Sequence, residues 1–152
     1  MRAARRRERV LLGVAGPLVL GIAILAAACG GAKSPKPHAE DWSTPPPGVA
    51  ATLSARVTFD AMQITTGNVG AERWREVVID VRRGSGGRTF SYRADVLLEG
   101  RDLPIGALNF AAADGRRLSP FEGAPTEWRV TATLPDGRRG VATGRVVEVA
   151  PK

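Results

Sequence analysis

The chain has 152 residues, a formal charge of +7, one cysteine and one histidine, which bounds it to one ordinary domain. The charge first suggests nucleic acid, but its distribution argues against that partner. Residues 1–28 carry five arginines and one acid, and the remaining 17 basic and 14 acidic residues give only +3.

The N-terminus reads as a leader. The basic head MRAARRRERV is followed by LLGVAGPLVLGIAILAAA, and Val10 to Ala28 is a run of 19 uncharged residues. That length lies between a signal-peptide core and a membrane span. Pro17 and the glycines around it make a poor permanent helix, although membranes tolerate both. Small residues close the run at Ala26-Ala27-Ala28-Cys29, and Gly30-Gly31 follow.

These residues resemble a bacterial lipoprotein signal peptide. The resemblance covers about the first thirty residues and implies cleavage before Cys29, with a diacylglyceryl group on its thiol. Leu is usual three residues before such a cysteine, and Ala26 stands there, so Ala26-x-Ala28 also fits an ordinary secretory cut. A lone thiol in an exported protein has no internal disulfide partner. A lipidated one has a reason to be alone: each buried methylene contributes about 0.8 kcal/mol, and two or three chains anchor firmly. A leader retained as a membrane span is the alternative.

Residues 30–50, GGAKSPKPHAEDWSTPPPGVA, hold five prolines and no apolar periodicity. They read as a tether, semi-rigid where Pro45-Pro46-Pro47 favours polyproline II. Trp42 is expected to fold back on the domain edge. His38 is expected to be solvated.

From Thr52 onward the pattern has period two, the signature of half-buried strands. RVTFDA places Val57, Phe59 and Ala61 on one face. WREVVIDVRR places Val77, Ile79 and Val81 inward. FSYRADVLL aligns Phe90, Tyr92, Ala94, Val96 and Leu98. In IGALNFAAADG, Leu108, Phe110 and Ala112 alternate and predict a strand. TEWRVTATL turns Trp128, Val130, Ala132 and Leu134 inside, and GRVVEV is the last strand. RRGSGGRT reads as a hairpin loop, and Asp114-Gly115 and Asp136-Gly137 are turn dipeptides. Six or seven strands in about a hundred residues predict an all-β antiparallel sandwich, with a closed barrel as the alternative.

The segments Asp114-Gly115-Arg116 and GRRGVATGRVVEV, Gly137 to Val149, resemble the immunoglobulin-like modules of uncharacterised bacterial lipoproteins. This implies a fold and a location, and little chemistry. The expected organisation is a signal peptide at 1–28, a lipid-anchored linker at 29–51 and a sandwich at 52–152.

Little in the domain points to catalysis. It has no histidine or cysteine, and its only lysine is Lys152, so the usual nucleophile–base pairs have no base. No catalytic residue, cofactor or metal ligand is assigned. Asp95, Glu99 and Asp102 cluster near one turn and could serve a carboxylate-dependent envelope hydrolase. The simpler expectation is solvated acids paired with Arg93 and Arg101.

Arg82, Arg83, Arg88, Arg116, Arg117, Arg138 and Arg139 fall at strand ends or turns. Gathered at one pole, they would form a basic rim for anionic lipid, an envelope protein or a wall polymer. The expected function is a lipid-anchored, non-catalytic binding module on the extracytoplasmic face of the cell membrane. An accessory single-pass membrane subunit and the small hydrolase are the alternatives.

Overall fold

The computed structural model describes residues 41–149. The leader, Cys29 and His38 lie outside the described residues. Among those described, no helix is long and apolar enough to cross a membrane.

The described chain is almost entirely strand. In order these are β1 (Val49–Thr52), β2 (Ala55–Asp60), β3 (Gln63–Asn68), β4 (Trp74–Arg82), β5 (Thr89–Leu97), β6 (Asp102–Gly106), β7 (Glu127–Thr133), β8 (Arg139–Arg145) and β9 (Val147–Glu148). Two single 3-10 turns, Ala107–Asn109 and Pro120–Glu122, lie between β6 and β7. One sheet runs β1-β8-β7-β4-β5 and the other β6-β3-β2-β9. All pairings are antiparallel except β1 with β8 and β2 with β9. The fold is a β-sandwich.

The core lies between the inner faces of the two sheets. Val77, Ile79 and Val81 of β4 meet Trp128, Val130 and Ala132 of β7, as their alternation predicts, and Val57, Phe59 and Ile64 come from the second sheet. Large apolar side chains on facing strands remove water from both sheets at once, at about 25 cal/mol per Å² of apolar surface buried. Two glycines of β8 make room for large side chains on or next to the neighbouring strands of the same sheet. A Cβ at Gly144 would lie 2.7 Å from a ring carbon of Trp128, and one at Gly140 would collide with Leu53.

The turns follow their residues. Leu134-Pro135-Asp136-Gly137 joins β7 to β8, with Gly137 at φ +83° and its N–H donating to the Leu134 carbonyl. Asp114-Gly115 repeats the geometry, with Gly115 at φ +82°. Both positions favour glycine because a Cβ is strained at positive φ. The β4–β5 hairpin closes at Arg82 and Thr89, around the glycine-rich loop expected there.

Several expectations are corrected. Ala61 does not continue the β2 face: it is exposed in the β2–β3 turn at φ +40°. Val96 and Leu98 are exposed, and Leu97 is buried instead. The cause is an irregularity opposite β7, where register shifts between Arg75 and Val78 and Glu76 adopts φ +49°. A bulge inserts a residue and reverses the facing beyond it. Trp74 therefore points inward three residues before Val77, and its β5 partner Leu97 changes face with it. IGALNFAAADG is not a strand throughout. β6 ends at Gly106, Ala107–Asn109 form a 3-10 turn, and Leu108 is exposed while Phe110 is buried. GRVVEV is split between the end of β8 and β9. β3 is an added strand, and β1 begins at Val49, before Thr52.

Candidate anion-binding pole

Strand register decides which loops share an end of the sandwich. Arg82, Glu127 and Arg145 are level on β4, β7 and β8 at one end, and Arg75, Thr133 and Arg139 are level at the other. The 83–88 loop leaves from the first end. The 111–117 loop joins it there, because Ala111 bridges both Ser91 and Arg117. The 119–126 segment is fastened to the same end: Thr126 N–H donates to the Arg82 carbonyl, and Gly84 N–H donates to the Thr126 hydroxyl.

The 83–88 and 111–117 loops thus bring Arg83, Arg88, Arg116 and Arg117 around one cavity of 390 Å³, and the 119–126 segment adds Glu122 to its wall, with Gly87 and Phe90. The four arginines have different duties. Arg83 donates to the Ser119 and Gly123 carbonyls and pairs with Glu122 at 3.1 Å, so it pins the 119–123 loop. Arg88 pairs with Asp114 at 3.0 Å and stays exposed. Arg116 and Arg117 are exposed and make no ion pair among the described residues. Phe121, which precedes Glu122 in the turn Pro120–Glu122, is 89 % exposed.

The other arginines do not join this cavity. Arg138 and Arg139 lie at the β7–β8 turn, at the opposite end, where Arg138 pairs with Asp136. Arg82 turns onto the outer face of the five-stranded sheet. There it pairs with Glu127 at 2.6 Å, next to an Arg129–Asp80 pair at 2.9 Å. Asp80 also accepts from the Ser91 hydroxyl.

Trp42 covers that outer face. It is 5 % exposed, with its ring centre 4.2 Å from the Arg82 guanidinium carbon and 4.9 Å from that of Arg129. A cation over an indole face is attracted by the ring quadrupole, more strongly when desolvated. The preceding Asp41 accepts a hydrogen bond from Ser43 N–H. That bond, then the Ser43 hydroxyl, holds its carboxyl below the ordinary aspartate range.

Asp95, Glu99 and Asp102 are all exposed. Asp102 pairs with Arg56 at 3.1 Å, not with Arg93 or Arg101. Among the described residues, no group of three or more His, Cys, Asp or Glu side chains is placed to hold a metal ion.

Phe121 and the Asp80–Arg129 pair carry little signal in the sequence. A trace of the pair exists in VVIDV, where an acid sits inside an apolar run, as on a strand covered on both faces. Nothing in PFEG separates an exposed phenylalanine from a core one. Comparisons with protein-family models, curated proteins and solved structures return no match.

Proposed function

We propose that this chain is a lipid-anchored, non-catalytic binding module of the bacterial cell envelope, held at the extracytoplasmic face of the membrane through Cys29. Its working surface is the basic pole. The observation that carries this reading is the convergence of four arginines from two loops on one cavity, with Arg116 and Arg117 uncommitted to any carboxylate among the described residues. Guanidinium groups pair bidentately with phosphate and carboxylate, and glycine-rich loops expose backbone N–H groups to the same anions.

An immunoglobulin-like identity for the sandwich is part of the proposal. It is supported by the facing strand sets β2-β3-β6 and β8-β7-β4-β5, and by the buried Trp74 on the interior strand β4. A single cysteine leaves such a module without the inter-sheet disulfide of antibody domains, so its stability rests on the apolar core.

The test is binding of the full chain to envelope preparations from its own source. Arg116→Gln/Arg117→Gln should lose most of the binding, and the wild type should lose it as salt rises. Binding that is unchanged by both would overturn the basic pole as the working surface.

A further inference from the structure

We infer that the basic pole docks flat on the anionic bilayer that carries the anchor, with Phe121 inserted among the headgroups. This inference rests on the lipid-anchored reading above.

Three observations carry it. First, Trp42, in the stretch that joins the tether to the domain, lies at the same end as the pole: it packs against Arg82, the last residue of β4, from which the 83–88 loop departs. Eleven residues separate Cys29 from Asp41. A fully extended chain reaches about 3.5 Å per residue, so Asp41 is held within roughly 40 Å of the anchored residue. Second, the charge is complementary. Glu122 and Asp114 neutralise Arg83 and Arg88, and Arg116 and Arg117 remain as net positive charge beside the cavity. Third, Phe121 projects from a loop that Arg83 holds at both Ser119 and Gly123. An aromatic side chain 89 % exposed on a loop pinned by Arg83, next in the chain to Glu122 of the arginine-lined cavity, has the chemistry of an interfacial anchor, apolar at the tip and close to cationic side chains at its base. The exposed apolar side chains Val69 and Leu98 lie at the opposite end, so the arrangement is polar in direction.

The experiment uses the full chain purified from its own membranes, where acylation blocks Cys29. A Phe121→Cys variant is labelled with an environment-sensitive fluorophore and placed in vesicles containing a headgroup-level quencher lipid. The vesicles are phosphatidylcholine alone or an equal mixture with phosphatidylglycerol. The label should be quenched in the mixed vesicles and not in phosphatidylcholine. Arg116→Gln/Arg117→Gln should lower the docked-to-undocked ratio about twenty-five-fold at low salt, two charges each giving about fivefold. A label at Val69→Cys should remain unquenched. An unquenched label at position 121 in anionic vesicles would overturn the docking, as would equal quenching at positions 121 and 69. A label that ignores lipid but responds to soluble polyphosphate would overturn it in favour of a polymer ligand. Intact mass separates the two levels of failure: an unmodified Cys29 overturns the anchor, whereas an acylated chain with a silent label overturns the docking alone.

Discussion

The ring of Trp42 lies 4.2 Å from the guanidinium carbon of Arg82, so a residue from the proline-rich approach to the domain is part of its packing. Trp42→Ala should therefore destabilise the domain by about 3 kcal/mol, the usual cost of removing a buried tryptophan. Urea unfolding of the variant and the wild type gives the number. A change within about 0.5 kcal/mol, the range of an ordinary surface substitution, would mean that the indole merely rests on the sheet.

Asp80 and Arg129 form an ion pair whose side chains are 8 % and 11 % exposed. Removing one partner of a buried pair leaves the other charge uncompensated and costs about 3 kcal/mol or more. Asp80→Ala should show that loss. Ser91→Ala alone should cost about 1 kcal/mol, because the hydroxyl donates to Asp80 at 2.6 Å. In the double variant the serine should matter far less, and the double-mutant cycle reads this as positive coupling. Strict additivity would show that the two residues act separately.

Thr66 on β3 is fully buried, and its hydroxyl has no hydrogen-bond partner among the described residues. Desolvating an unsatisfied hydroxyl costs about 1–3 kcal/mol. Thr66→Val keeps the branched shape that a strand favours and removes the orphan group, so it should stabilise by about 1 kcal/mol. The urea midpoint should rise with an unchanged slope. A lower midpoint would show that the hydroxyl is satisfied in solution.

The strands legible in the sequence were those whose inward residues are large and regularly spaced, such as Val77-Ile79-Val81 and Trp128-Val130-Ala132. β3 escaped because its inward positions are Ile64 and Thr66, and a threonine in a core looks like a surface residue. β1 escaped because only Gly48 separates it from Pro45-Pro46-Pro47, and β8 because Gly140 and Gly144 stand where apolar side chains would mark a strand. Their small size is needed for Leu53 and Trp128 to fit. The placing of Leu97 inside depends on the bulge at Glu76, a contact between strands far apart in sequence. The arginine pairs could be located at turns. Which turns share a pole follows only from strand order, and that order separates Arg138 and Arg139 from Arg116 and Arg117.

Acid should loosen two turns. The Arg138 backbone N–H, then its guanidinium, holds Asp136 below the ordinary aspartate range, and Ser43 does the same for Asp41. A carboxyl with a depressed folded pKa contributes stability that is present above its unfolded value, about 3.9, and lost as pH falls through the folded one. Both carboxyl resonances should titrate below the ordinary range, and the Trp42 indole N–H signal should shift with that of Asp41. Midpoints at the ordinary value would contradict these turn contacts.

The membrane location and the docking both rest on the acylation of Cys29, which is read from the intact mass of the protein purified from its own membranes, with Cys29→Ala as the control. The expected mass is that of residues 29–152 plus acyl chains, with the acyl mass lost in the control. A mass matching all 152 residues, unmodified, would contradict that acylation and make the leader a retained membrane segment.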